Sequence, residues 1–175
     1  AAQAERSQRA TKSKKATAQR AAASPEAALR ALVARFEPKR QQLFRAVRTA
    51  VRKRLPTANE LVYDYGNALV VSYTPSERGI EGIVAIRATA DGVALYFHQG
   101  PKIPDPTRRF TGSSKETRSL AVTAARELAD PEIEAFFAAA IRLAKTPLPA
   151  SGKGTLLIKE TAAAGRAARA QARRK

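Results

Sequence analysis

VYDYGNALVVSYTPSERG, residues 62–79, is the stretch on which the reading of the fold turns. Leu61, Tyr63 and Tyr65 alternate with Val62 and Asp64, a period of two that belongs to a strand. Gly66-Asn67 follows as a two-residue hairpin signal, and Leu69, Val71 and Tyr73 mark the return strand. Residues 74–79 make a longer turn into residues 82–87, where Ile83, Val84, Ala85 and Ile86 read as a buried central strand. Asp91-Gly92 turns the chain again into residues 93–98, with Val93, Leu95 and Phe97 on one face. Four runs at this spacing predict an antiparallel meander.

Downstream, residues 99–114 hold three Pro and two Gly and cannot be regular, whereas residues 116–122 read as a fifth strand. Asp130-Pro131-Glu132 combines an N-cap, a proline at the first helical position and an acid in the first turn. It opens a helix carrying Ile133, Phe136, Phe137, Ala140 and Ala144, which Pro147 and Pro149 close. GTLLI, residues 154–158, is a short terminal strand. Upstream, Ser24-Pro25-Glu26 has the same helix-opening pattern before Leu29, Leu32, Val33 and Phe36. Pro38 interrupts, and a longer helix follows to about Leu55 with Leu43, Phe44, Val47, Val51 and Leu55 along one stripe. The expected fold is α+β: an antiparallel sheet of about five to six strands, packed by two N-terminal helices and one C-terminal helix.

The chain of 175 residues carries a net charge of +17, unevenly spread. Residues 1–23 hold six basic groups and one acid, without a single Leu, Ile, Val or aromatic residue. They read as a disordered basic arm, since they have no apolar area to offset ordering. An Arg-rich, acid-poor N-terminus also fits an organelle transit peptide, but the missing apolar stripe favours the arm. Residues 24–158 form the single α+β domain, and residues 159–175 are a basic Ala/Arg-rich tail with six cations and one acid. No apolar run is long enough to span a membrane, and Cys is absent, so disulfides and thiolate metal sites drop out. These features, with Arg outnumbering Lys 21 to 11, are read as those of a bacterial cytoplasmic protein.

With the order of these runs established, residues 25–158 resemble the YdhG-like family of bacterial domains of unknown function. The residues carrying the resemblance are VYDYGNALVV (62–71), TPSER (74–78), LYFHQG (95–100), IPDP (103–106) and TGSSKETR (111–118). ADPEIEAFFAAAI and GTLLI follow in the family's order. The resemblance implies an α+β fold with helices covering an antiparallel sheet, and no established enzymatic activity. One branch of the wider family is described as frataxin-like and iron-handling; this chain lacks the acidic face of that branch.

Candidate chemistry concentrates in the Pro-rich loop. His98, the only His, stands beside Gln99 and near Lys102 and Asp105, where it could act as a base or an anion ligand. The commoner role of such a residue is a hydrogen-bonded structural one, and no Cys or second His completes a transition-metal site. Lys102, Arg108, Arg109, Lys115 and Arg118 gather in and beside the same loop and suggest an anion-binding rim. Gly112-Ser113-Ser114-Lys115 departs from a phosphate loop in lacking the Gly before Lys and a helix after it. Tyr63, Asp64, Tyr65 and Asn67 cluster at the first hairpin, with Tyr73 placed nearby. Their plain reading is half-buried aromatics and a turn residue, so the domain is expected to carry no stacking platform.

Two functions of different class follow. The first is a non-enzymatic domain whose basic arms associate with nucleic acid without sequence preference. Lys12, Lys14, Lys15, Arg166, Arg169, Arg173 and Arg174 would supply the tails' contacts. Arg45, Arg48 and Arg52, at i, i+3 and i+7, would add an exposed yet ordered stripe on the second helix. The second is a small anionic-ligand or metal-handling domain using His98 and the 99–118 loop. Neither reading calls for a cofactor, a resident metal or a membrane.

Overall fold

The computed structural model describes residues 24–159. Its strands are β1 (Asn59–Asp64), β2 (Ala68–Thr74), β3 (Val84–Thr89), β4 (Val93–His98), β5 (Thr117–Val122) and β6 (Leu156–Ile158). They form one sheet in the order β5-β4-β3-β2-β1-β6. β1 to β5 are antiparallel neighbours in chain order, as expected. β6 corrects the expectation: it pairs parallel to β1, so the sheet is mixed. The cause is the connection. The chain leaves β5 at one edge and returns through a helix to the far edge, where no hairpin dictates antiparallel pairing.

The meander's turn follows from Gly66, which takes φ +82° while Asn67 stays at negative φ. That is the pattern of a II′ turn, whose twist suits a right-handed hairpin. It sets Asp64 opposite Leu69, so Val62, Leu69, Val71 and Tyr73 share one face. The helices α1 (Pro25–Val33), α2 (Pro38–Arg54) and α3 (Pro131–Leu143) contribute their stripes to the same core. Ser24 Oγ accepts from the Ala27 N–H at 3.2 Å, and the Asp130 carboxylate from the Glu132 N–H at 2.8 Å. Phe97 packs against Phe110, Phe136 and Phe137 with ring centroids 5.3, 6.1 and 5.3 Å away. Each such buried side chain is worth about 1.5–3 kcal/mol.

Two helices and two strands meet at one ionic cluster. Glu60, on β1 and 5% exposed, accepts from the Tyr73 hydroxyl at 3.1 Å and from Arg48 at 2.7 and 3.0 Å. Arg48 also donates to both oxygens of Glu26 on α1, at 2.7 and 3.1 Å. Burial opposes the guanidinium's charge, but the two carboxylates outweigh it and raise its pKa above the ordinary arginine value. Burial first, and then the charge of Glu60, pushes the Tyr73 hydroxyl well above its usual range. Tyr73 therefore belongs to the core, away from the hairpin tyrosines with which it was grouped.

Two outcomes follow. Arg48→Gln strips a buried carboxylate of its cation, which costs about 3–5 kcal/mol in general. Arg52, 3.4 Å from Glu60, compensates in part, so the loss should be near 3 kcal/mol, or about 6–12 °C in Tm. Arg45→Gln, on an exposed position, should stay within about 0.5 kcal/mol. Calorimetry of both variants checks this; equal shifts would sink the assignment. A Cβ at Gly154 would lie 1.7 Å from the Ala58 carbonyl oxygen, so Gly154→Ala should lift β6 off β1. Amide exchange should then accelerate at Glu60 and Lys159, whose N–H groups donate to Thr155 and Val62, and stay slow in β2 to β4.

Candidate nucleic-acid interface

Alternation along the strands sends a second set of side chains to the face opposite the helices. Tyr63 and Tyr65 from the first hairpin, Val70, Ala85, Arg87, Tyr96 and His98 lie there. The loop after β2 covers part of this face: Tyr63 Oη comes within 2.4 Å of where a Cβ on Gly79 would stand. The rest forms a trough of about 430 Å³. Tyr65 and Asn67 stand at one end, Ala68, Val70 and Ala85 make the floor, and Tyr96, His98 and Thr117 close the other end.

Both aromatic walls are braced. Tyr65, 52% exposed, stacks on Tyr63 with centroids 6.2 Å apart and planes 11° from parallel. Arg87 lies over the Tyr96 ring, 5.7 Å from its centroid, and donates to the Tyr96 hydroxyl at 3.3 Å. The sequence reading, which expected no stacking platform, did not anticipate two such rings on one open sheet face. Half-burial of the tyrosines was the right reading for Tyr63 but not for Tyr65. Arg87 stands at the end of a run, residues 83–86, that looks uninterruptedly apolar, and Tyr96 lies on the face opposite Val93, Leu95 and Phe97, a face that drew no candidate role. Their signal was there: both occupy the polar phase of the two-residue alternation.

A groove of about 310 Å³ adjoins this trough at His98. Lys102, Lys115 and Lys145 line it, together with Glu81 and Glu116. Thus His98, Lys102 and Lys115 of the expected anion rim come together, and Lys145, beyond α3, joins them unforeseen. Arg109 does not. Its guanidinium is 3.0 Å from Asp130 and 3.5 Å from Glu132, pinned to the start of α3. Arg118 donates to the carbonyls of Ser114 and Thr117, bracing its own strand. Arg108 is exposed, at φ +57°, and does not line the groove. The loop's Asp105 is structural as well: it accepts from the Arg109 and Phe110 N–H groups at 2.8 and 2.9 Å, which seats Phe110 on the core.

On α2 the expected stripe of three exposed cations divides. Arg45 is exposed and donates to Gln41 at 2.9 Å, whereas Arg48 is consumed by Glu26 and Glu60. Arg52 stands 3.4 Å from Glu60 and 4.0 Å from Glu26. The reason is local: Glu60 leaves β1 under α2, and two of the three arginines reach it. Lys12, Lys14, Lys15, Arg166, Arg169, Arg173 and Arg174 lie outside the described residues.

Among the described residues, no three His, Cys, Asp or Glu side chains gather as a metal-holding group, and no helix is long and apolar enough to cross a membrane. Ser72 Oγ is the one buried side-chain polar atom among them without a hydrogen-bond partner. A Cβ at Gly82 would meet it at 2.8 Å and His98 Nε2 at 2.9 Å, so glycine there lets the loop close over both groups. No family model, curated protein or solved structure matches the chain.

Burial pushes the His98 imidazole below its ordinary pKa of 6.5, against a smaller opposing pull from Glu116. A depressed folded-state pKa means that the unfolded chain takes up the proton first as pH falls. The contribution is therefore complete above about pH 6.5 and is lost progressively below it. Glu26, held down by Arg48, and Asp64, held down by Arg35, titrate below the usual carboxylate range, outside this window. Between about pH 7 and pH 5, wild type should lose stability that His98→Gln retains. Urea midpoints across that range test it; parallel curves would overturn it.

Proposed function

We propose that this chain is a non-enzymatic domain of the YdhG-like type that associates with nucleic acid through charge, without reading sequence. The family part rests on the ordered motifs of residues 62–158. The observation that carries the nucleic-acid part is the sorting of cations in the described domain. Seven arginines are spent on internal carboxylates, while Lys102, Lys115 and Lys145 have no such partner and share one groove. Added to the basic groups of residues 1–23 and 159–175, these lysines give a polyanion both diffuse attraction and an ordered contact.

A second reading has its own support. The groove beside His98 is large enough for a small anion such as phosphate or a carboxylate. Thermal shift with inorganic phosphate separates the two. Stabilisation that survives neutralising the tails but is lost in Lys102→Gln/Lys115→Gln favours the small anion. The Arg109 ion pairs with α3 make that arginine unsuitable for this test, since its removal would loosen the fold.

For the first reading, log affinity for a duplex should fall linearly with log salt. Replacing Lys102, Lys115 and Lys145 together by Gln should reduce the slope by about two to three units if each contacts a phosphate. Substituting Lys12, Lys14, Lys15, Arg166, Arg169, Arg173 and Arg174 should remove most of what remains. A salt-independent signal, or no association at low salt, rejects the reading.

A further inference from the structure

We propose that the trough on the uncovered sheet face is a single-strand binding site, in which unpaired bases stack on Tyr65 and Tyr96 and the backbone passes His98 into the lysine groove. This rests on the nucleic-acid reading above and specifies its form. The floor of Ala68, Val70 and Ala85 is flat and apolar, which suits the face of a planar ring. The volume, about 430 Å³, falls within the range of small-molecule sites of roughly 300–1,000 Å³. Tyr65 presents an open ring at one end, held by its stack on Tyr63. Tyr96 stands at the other end beneath Arg87, whose guanidinium has no carboxylate partner among the described residues. Both rings are thus set before any ligand arrives, and a strand loses little free energy in ordering them.

The choice of occupant follows from charge and from the neighbouring groove. A neutral aromatic metabolite would use the trough but not the three lysines across His98. A strand uses both: bases supply π faces to the tyrosines, and phosphates meet Arg87 at the trough and lysines beyond it. His98 suits the boundary because burial favours its neutral form, leaving it an uncharged flat wall between the two recesses. A duplex is excluded from the trough, since its bases already cover each other's faces. Recognition of this kind is tolerant of sequence, because every base has a π face.

The test uses the full chain and a short labelled oligothymidylate, with a duplex of equal length and thymidine monophosphate as comparisons. Tyr65→Ala and Tyr96→Ala should each weaken oligothymidylate binding about tenfold. The salt slope should not change, because no charge is removed. Tyr65→Phe and Tyr96→Phe should bind like wild type, since the ring and not the hydroxyl carries the contact. Duplex affinity should be the same in all four variants. Melting temperatures confirm that the variants are folded, and the phenylalanine pair keeps the test valid if an alanine variant is not. Wild-type affinity in both alanine variants, with the salt slope intact, overturns the trough while leaving the nucleic-acid reading standing. Failure of wild type to bind any oligonucleotide overturns both. Thymidine monophosphate binding as tightly as the strand overturns the strand in favour of a small-ligand site.

Discussion

The contact between Arg48 and Glu60 is the constraint around which the domain is arranged. Glu60 projects from β1 toward the helices, where an isolated carboxylate would be costly. Arg48 meets it with two donors and spends the rest of its fork on Glu26, while Tyr73 fills the remaining side of the carboxylate. One side chain thereby joins α1, α2 and β1. A buried pair of this sort is weak evidence for net stability, since the desolvation of both ions opposes their attraction. Its effect here is positional: α1 has two turns and a half of its own, too short to hold by propensity. The ion pair, with Leu29 and Val33, gives it one place to sit.

Because all three helices are recruited to that side, the sheet's other face is left to one short loop. The loop closes only over the part near Tyr63, Ser72 and His98, with glycines at Gly79 and Gly82 where the approach is tightest. What remains exposed is the trough. Antiparallel sheets tolerate this because one solvated face is ordinary for them. Its aromatic residues add little to the core cluster, to which none of Tyr65, Arg87 and Tyr96 belongs. The trough and the stabilising core are therefore separate on the two sides of one sheet, and substitutions on one should couple weakly to the other.

Local patterns in the chain foretold most of the fold. The alternation at residues 61–65, the Gly66-Asn67 turn and the paired Ser-Pro-Glu and Asp-Pro-Glu openings each act within a few residues, and each appears where it was placed. The parallel pairing of β6 did not show, since it depends on where the chain lands after α3, a property of the whole path. The site was less legible for the same reason. A cluster of cations in sequence, residues 102–118, looked like one rim, yet it divides in space: Lys102 and Lys115 share the groove, while Asp130 and Glu132 take Arg109 and backbone carbonyls take Arg118. Lys145, some thirty residues from Lys115 in the chain, arrives at the groove only through α3. Arg48 was misread as solvent-facing since helical spacing names a face but not what stands against it.

The kind of cation, rather than the number, decides which charges stay available. Every ion pair among the described residues has arginine as its cation: Arg35, Arg40, Arg48, Arg52, Arg54, Arg78 and Arg109. No described lysine joins one. The difference is physical. A planar fork of five donors can satisfy a carboxylate and a carbonyl together, as Arg54 does with Glu134 and the oxygens of Ala50 and Leu128. An ammonium is a point charge that water solvates strongly, so holding it in one internal pair gains less. Of the thirteen carboxylates between residues 24 and 158, eight pair with arginines and none with a lysine. Net charge alone would have counted all twenty cations of that segment as equally free for a polyanion. The geometry leaves the lysines, Arg87 beside the trough and exposed arginines such as Arg45 and Arg108 as groups that can meet phosphate without first breaking an ion pair.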